Sequence, residues 1–148
     1  MSGFDLPGSS ARFIAKSEIE TLFHRYAVLA KETASAEKMS QLFTQDAAFR
    51  LPNGVTVQPA ELLQVVQGNN PKFIRHHITS IDINFVSPSR ANAESYFFAV
   101  THLSSFDHWG HWEDIVTREA DGTWLISDRT IVVEGTDPKG WYKTVYPD

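Results

Sequence analysis

The sequence contains no cysteine, which excludes disulfide frameworks, thiolate metal sites and cysteine nucleophiles. It also lacks an apolar signal core near its start and any run of about 18 apolar residues that would span a membrane. We therefore expect a cytoplasmic protein without a membrane partner. Basic clusters are absent too: 13 Lys and Arg stand against 18 Asp and Glu, a net charge of −5. Nucleic-acid binding normally leaves a cationic footprint, so nucleic acid is not an expected partner.

Aromatic residues are plentiful. They make up 12% of the 148 residues, with four tryptophans. A chain of this length forms one domain and can bury a core without metals or disulfides. We predict a single domain over residues 1–148. Aromatics beyond the needs of the core can line an apolar ligand pocket or a subunit interface.

The first half of the chain has a helical pattern. Residues 1–12 are rich in Gly and Ser and predict a loose N-terminus. From Phe13, apolar residues recur at three- and four-residue spacing, and Ser17 with Glu20 forms a possible capping box that would start the helix near residue 17. A second short helix is predicted through Met39. A third fits "PAELLQVVQG", bounded by Pro59 and Gly68.

The second half has a strand pattern. Four long runs, 73–87, 91–105, 109–119 and 123–134, are separated by connections short enough for hairpins. Helices followed by an antiparallel meander predict an α+β fold. A long twisted sheet of this kind curls, so we expect a cone-shaped α+β barrel: N-terminal helices packed in a strongly curved, mainly antiparallel sheet, with a pocket at the open end.

Two adjacent histidines begin the first long strand, in "RHHITSI". Neighbouring residues on a strand point to opposite faces, so only one of them can face the pocket. His77 shares its face with Ile81 and Ile83, whereas His76 does not. For His76 to face the same core as Ile81, the strand needs a β-bulge between them.

The runs "ETLFHRYAVLAKETASAEKMSQLFTQDAAFRLPNG", "RHHITSI" and "GHWEDIVTREADGTWLISDR" resemble the SnoaL-like branch of the nuclear transport factor 2-like superfamily. That branch includes scytalone dehydratase, bile acid dehydratase, hexachlorocyclohexane dehydrochlorinase and polyketide cyclases. The resemblance covers about residues 14–134. It implies the cone fold, but the superfamily hosts many unrelated functions, so function depends on the site.

The resemblance also implies a general base. In dehydratase-like members this base is a histidine at the start of the first long strand, paired with an acidic residue at the end of the first helix. The matching histidine is His76. The acidic position falls on Glu32 when counted back from Phe43, and on Lys31 when counted forward from Tyr26. A carboxylate would raise the pKa of the histidine, whereas a lysine would lower it; Glu32 is the predicted partner.

Tyr26 lies on the buried face of the first helix, where it either packs in the core or polarises a substrate carbonyl, as tyrosines do in scytalone dehydratase; we predict the second role. Phe97 stands where that enzyme has a second catalytic histidine, and His102 is a possible spatial substitute. Asp114 and Arg129 form an expected cross-strand ion pair. The predicted substrate-binding residues are Phe49, Tyr96, Phe98, His102, Trp112, Asp114 and Arg129.

The stretch "DHWGHWED" contains good metal-ligand types. On a strand, however, His108 and His111 point to opposite faces, so no metal site is predicted. The sequence has no P-loop, no dinucleotide glycine fingerprint and no Gly-x-Ser-x-Gly elbow, so no cofactor is predicted either. The tail 135–148 carries Trp141, Tyr142 and Tyr146, and we expect it to dock as a lid over the cone or as an interface strap.

Together these features predict a cofactor-independent lyase or isomerase. It would abstract a proton from a small apolar cyclic substrate, polyketide-, steroid- or aromatic-like, in a dehydration, isomerisation or related elimination. His76 would be the base, Glu32 its partner and Tyr26 the carbonyl donor. The alternative is a non-catalytic ligand-binding or dimerisation module of the same fold. By analogy with the family we predict a homodimer, in which subunit pairing would cover an exposed strand edge and an apolar sheet face.

Overall fold

The computed structural model describes the backbone of residues 8–148 and the side chains from Ser10 onward. Helix α1 (Gly8–Leu29) is followed by the short helix α2 (Ala36–Ser40), strands β1 (Phe43–Arg50) and β2 (Thr56–Val57), and a 3-10 helix (Pro59–Val66). Strands β3 (Ile74–Ser87), β4 (Arg90–Thr101), β5 (His108–Arg118) and β6 (Trp124–Thr136) come next, and helix α3 (Tyr142–Val145) ends the order.

One curved, unclosed sheet holds all six strands in the order β2-β1-β6-β5-β4-β3. The predicted meander of four strands is confirmed by the antiparallel pairs β3–β4, β4–β5 and β5–β6. Strand β1 adds to it by pairing parallel with β6. The sheet wraps around α1, and the predicted α+β cone is confirmed.

Helix α1 begins at Gly8, not near Ser17 as the capping box indicated. A cap contributes only about 1 kcal/mol, whereas continuing the helix backward buries Ala15 against the core. Ser17 therefore lies inside the helix. Residues 8–12 of the stretch predicted to be loose are helical, and residues 1–7 lie outside the described part of the chain. The third predicted helix is present, as a 3-10 helix that ends in left-handed Gln67.

Helix α1 buries one apolar stripe against the inner face of the sheet. Ile19, Phe23 and Tyr26 are almost fully buried there, and the spacing of three or four residues puts them on one side of the helix. The inner face of β4 and β5 supplies the opposite wall of this core, including Phe97, Trp112 and Val116. This packing closes the narrow end of the cone and leaves the other end open.

Candidate active site

A cavity occupies the open end of the cone. Its lining comes from the C-terminal end of α1, the 3-10 helix, the inner sheet face and the C-terminal tail. Its volume is about 80 Å³, counted as the space open to the centres of water molecules. Most of its wall is apolar, and the polar groups are few. The lining residues that carry polar groups or aromatic rings are Tyr26, Lys31, His76, Phe97, His108, Trp112, Trp141, Tyr142 and Tyr146.

A β-bulge in β3 turns His76 into this cavity. The β3–β4 register runs from Ile78 opposite Phe97 to Ser80 opposite Tyr96, so Thr79 is the extra residue. Before the bulge His76 faces inward, and after it Ile81 and Ile83 do. The predicted bulge between His76 and Ile81 is therefore confirmed.

His76 has a defined tautomer. Its Nδ1 lies 2.9 Å from the carbonyl oxygen of Ala30 at the end of α1, and because a carbonyl only accepts, Nδ1 must carry the hydrogen. Nε2 is then the nitrogen with the free lone pair. Burial, with a smaller contribution from the neighbouring His108, lowers the pKa of His76 to about 3, although the bond to Ala30 opposes the shift. His76 is thus a neutral imidazole at physiological pH.

Glu32 does not pair with His76, which corrects the expectation for this residue. Its carboxylate accepts from the Arg75 guanidinium at 2.7 Å and from the backbone N–H of Ile74 at 3.2 Å. The bond to Arg75 is the main cause of a pKa of about 2 for Glu32. The reason is strand geometry: Glu32 comes to the side of β3 on which Arg75 projects. Lys31, the other candidate, lines the cavity.

A second histidine, His108, faces the cavity and has the carboxylate partner that His76 lacks. Its Nδ1 lies 2.8 Å from Asp107 Oδ1, and both side chains are buried. The Asp107 carboxylate also accepts from the Thr101 hydroxyl at 2.7 Å and from the backbone N–H groups of Trp141 and Tyr142 at 2.6 and 3.1 Å. Burial alone would raise the pKa of Asp107, but these bonds lower it to about 2.

Tyr26 and Trp112 form the floor of the cavity. Their rings meet edge to face at 5.1 Å, and Trp112 stacks on Phe97 at 5.0 Å. Burial raises the pKa of Tyr26, although the nearby Arg129 guanidinium opposes this shift. The Tyr26 hydroxyl is therefore protonated and able to donate a hydrogen bond.

Asp114 and Arg129 lie beneath the floor rather than in the cavity. They are opposite each other on β5 and β6 and form the predicted ion pair, with contacts of 2.6 and 2.8 Å. The Arg129 guanidinium carbon lies 4.3 Å from the ring centroids of both Tyr26 and Trp112. Neither Asp114 nor Arg129 lines the cavity, so their predicted substrate contact is corrected to a supporting position.

Four other predicted substrate-binding residues lie away from the cavity. Phe49 is fully buried in the core against Tyr26 and Phe43. Tyr96 and Phe98 project from the outer face of β4, because their inward neighbours are Ser95 and Phe97. His102 lies outside as well, with Nδ1 accepting from the backbone of Lys72. Of the seven predicted substrate-binding residues, only Trp112 lines the cavity.

The C-terminal tail closes over the cavity. Trp141 donates from Nε1 to the Asn69 carbonyl at 2.9 Å, and the Tyr146 hydroxyl donates to the Val65 carbonyl at 2.6 Å. Tyr142 packs against the His108 ring at 4.8 Å. Of the two expectations for the tail, a lid or an interface strap, these contacts match the lid.

The sequence contained a signal for His108 that our prediction did not use. His108 and Trp112 are four residues apart on one strand and therefore share a face, and Trp112 was already expected to face inward. The β5–β6 register shifts between Trp109 and Gly110, yet the alternation on β5 persists. His111 is on the outer face, held by Glu134 at 2.8 Å and Glu113 at 3.1 Å.

Within residues 8–148, no group of three histidine, aspartate or glutamate side chains is arranged to hold a metal ion. None of the helices in that part of the chain is long and apolar enough to cross a membrane.

Comparison with protein families matches residues 11–130 to the SnoaL-like domain. No curated protein sequence matches the chain. Among solved structures, a scytalone dehydratase-like protein of Novosphingobium aromaticivorans is 20% identical, with a TM-score of 0.72 over 88% of this chain and 91% of that one. A hexachlorocyclohexane dehydrochlorinase of Novosphingobium barchaimii is 15% identical, with a TM-score of 0.74 over 88% and 93%. ActVI-ORFA of Streptomyces coelicolor is 18% identical, with a TM-score of 0.69 over 81% and 97%.

Proposed function

Because this chain belongs to the SnoaL-like domain family of the nuclear transport factor 2-like superfamily, we propose that its cavity is the active site of a lyase or isomerase. The enzyme abstracts a proton from a carbon next to a carbonyl in a small, largely apolar cyclic substrate. His76 is the base, and it needs no cofactor for this step. The names of two structural relatives, a dehydratase-like protein and a dehydrochlorinase, agree with such chemistry.

One observation carries the proposal: His76 presents an unprotonated nitrogen in an apolar cavity. The Ala30 carbonyl holds the hydrogen on Nδ1, so the lone pair of Nε2 is available to accept a proton. A positioned base of this kind contributes about 10²–10⁴-fold in rate. The Ala30 carbonyl, and not Glu32, is what orients the ring.

Tyr26 supplies the donor for the carbonyl oxygen. Proton abstraction next to a carbonyl moves negative charge onto that oxygen, and a donor in a water-poor site stabilises the charge. The Arg129 guanidinium behind the Tyr26 ring adds a fixed positive charge on the same side. Stabilising the charge on the carbonyl oxygen matters because His76, with a pKa of about 3, is a weak base. It can remove a proton only from a carbon that the polarised carbonyl has made acidic.

The cavity volume limits the substrate. On the same measure one water needs roughly 10–15 Å³, and its share of the liquid is about 30 Å³. The 80 Å³ cavity thus takes roughly five to eight waters, or a molecule of about 160–240 Å³. We therefore propose a substrate of one or two rings, smaller than a steroid.

Deuterium exchange tests the base directly. The protein is incubated in D2O with cyclic one- and two-ring ketones, such as cyclohexanone and α-tetralone, and NMR follows the loss of the α-proton signals. We expect His76→Gln to lower the exchange rate at least 100-fold, while His77→Gln, on the next residue but the outer face, leaves it unchanged. Equal exchange by wild type and His76→Gln, or no exchange above buffer for any ketone, would overturn the proposal.

A row of aromatic rings on the outer face supports a homodimer, our second proposal. His77, Phe98 and Phe106 stack in sequence at 4.8 and 4.9 Å, and Phe106 contacts Trp109. Phe106 is 53% exposed, and an exposed aromatic row of this kind is typical of a subunit interface. Sedimentation analysis should give a dimer that Phe106→Ser weakens; a wild-type monomer at micromolar concentration would contradict this.

A further inference from the structure

The proposed reaction so far leaves His108 without a role. This imidazole is buried, with 5% of its surface exposed, yet it lines the cavity. A buried histidine that only packs does not need a buried carboxylate beside it, because removing a carboxylate from water is costly. Asp107 is fully buried and held by four donors. The four donors therefore stabilise the negative charge of the buried Asp107 carboxylate next to His108.

The Asp107 carboxylate fixes how His108 presents itself. Ionised carboxylates only accept hydrogen bonds, so the Nδ1 of His108 must donate to Oδ1. Nε2 is left as the nitrogen that exchanges protons. When Nε2 also carries a proton, the imidazolium forms an ion pair with Asp107, and the charge is balanced within the site.

His76 and His108 therefore have opposite surroundings in one cavity. Their ring centroids are 6.2 Å apart. His76 faces a backbone carbonyl, and His108 faces a carboxylate. Of the two imidazoles, only His108 has a carboxylate beside it that would balance the charge of an added proton.

We propose that His108 is the general acid that protonates the leaving oxygen of a β-hydroxy carbonyl substrate, making the reaction a dehydration. This rests on the proposed function, in which His76 is the base. Nε2 of His76 takes the proton from carbon, and the C–H electron pair becomes the new double bond. The C–O bond breaks with its electron pair going to oxygen, which takes the Nε2 proton of His108, and water leaves. A return of the proton from His76 to His108, through water admitted after release, completes the cycle.

Asp107 is a positioning residue in this scheme, and it links the acid to the tail. The same carboxylate that orients His108 accepts the backbone N–H groups of Trp141 and Tyr142. Gly140 allows this close approach, since a Cβ at that position would lie 2.6 Å from Asp107 Oδ2. The docked tail therefore helps to hold the acid in place, together with the Thr101 hydroxyl.

Leaving-group dependence tests the acid separately from the base. The probes are 3-hydroxycyclohexanone, whose leaving hydroxyl needs a proton, and 3-acetoxycyclohexanone, whose acetate leaves without one. We expect His108→Gln to slow elimination from the hydroxy ketone about 10²–10⁴-fold. The same variant should stay within a few-fold of wild type on the acetoxy ketone and in α-proton exchange. His102→Gln, on the outer face, is the matched control and should match wild type on both probes.

Each outcome separates the two proposals. An equal loss on both probes, or no loss on the hydroxy ketone, removes His108 as an acid while leaving His76 as the base. A His76→Gln variant that keeps full activity on both probes overturns the proposed function, as does a wild type that eliminates neither. Should His108→Gln fail to fold, Thr101→Val removes one bond to Asp107 and should slow the hydroxy ketone alone, by several-fold.

Discussion

The imidazoles of His76 and His108 face each other edge to face at 6.2 Å, but only His108 has a carboxylate on its Nδ1. Pairs of titratable groups whose surroundings favour opposite protonation states are typical of acid–base sites. The two imidazoles have different partners because of where they lie on the backbone. His76 is next to the Ala30 carbonyl at the end of a helix, whereas His108 begins a strand directly after Asp107.

Acid should destabilise the fold through His76. Its folded-state pKa, about 3, lies below the unfolded value of about 6.5. The unfolded state therefore binds more protons between these values, and stability is full above pH 6.5 and lost as the pH falls. The contribution is at most about 1.4 kcal/mol per pH unit, or about 2 kcal/mol between pH 7 and pH 5. It will be smaller to the extent that water reaches the half-buried ring.

Urea unfolding of wild type, His76→Gln and a control variant at pH 7 and pH 5 measures this effect. His76→Gln should lose less stability than wild type on acidification, because its side chain binds no proton. His24→Gln, which replaces an exposed imidazole on α1, is the matched control. Identical pH dependence in wild type and His76→Gln would show that His76 is not held neutral by the fold.

Removing the charge of Asp107 should loosen the tail. In Asp107→Asn the amide nitrogen faces donors that need an acceptor, and at least one buried hydrogen bond is lost. We expect a loss of about 2–4 kcal/mol in the free energy of unfolding. Faster amide hydrogen exchange at Trp141 and Tyr142 should accompany it. Asp121→Asn, at an exposed turn that accepts from Thr123, should cost no more than about 1 kcal/mol.

The pair of Asp114 and Arg129 should be far more sensitive than a surface pair. Asp114→Asn leaves the fully buried Arg129 guanidinium without its counter-charge, which costs about 3–5 kcal/mol. Asp128 pairs with Arg50 on the more exposed side of β6, and Asp128→Asn should cost at most about 1 kcal/mol. Denaturant midpoints compare the two variants, and similar losses would contradict the burial argument.

Gly140→Ala should displace the tail without touching the sheet. Its new methyl group would lie 2.6 Å from Asp107 Oδ2, too close for van der Waals contact, so the tail must shift. We expect a lower melting temperature and a Trp141 indole more accessible to acrylamide quenching. Lys139→Ala, on the exposed neighbouring residue, should leave both readouts unchanged. A tightly docked tail in Gly140→Ala would argue against the Asp107 anchor.

Local patterns in the sequence predicted most of the strands and helices, and the bulge in β3 followed once the resemblance made His76 the inward histidine. The bulge was predictable because two requirements conflicted: an inward His76 and an inward Ile81 cannot coexist on a regular strand. The parallel pairing of β1 with β6 was not predictable, since nothing local in "FTQDAAFR" specifies a partner some 80 residues away.

The site was predicted less completely than the fold. Helix and strand parity placed Tyr26 and Trp112 correctly in the cavity, whereas His76 was placed there by the family resemblance, because parity alone favoured His77. The partner predicted for Glu32 was wrong. The sequence indicates that Glu32 lies near the start of β3, but it does not show which of two adjacent side chains there its carboxylate contacts. Arg75, one residue from His76, binds Glu32 instead. His108 was tested only as a metal ligand, and its neighbour Asp107 was not considered.

The extra residue Thr79 has a consequence for the two adjacent histidines of β3. A strand that gains or loses one residue at a bulge exchanges its inner and outer side chains, and in most active sites such a slip would remove the reactive group. In this strand His76 and His77 are adjacent, and both precede the slip at Thr79. A one-residue slip of the segment before the bulge would therefore exchange His76 for His77 and still turn an imidazole toward the cavity.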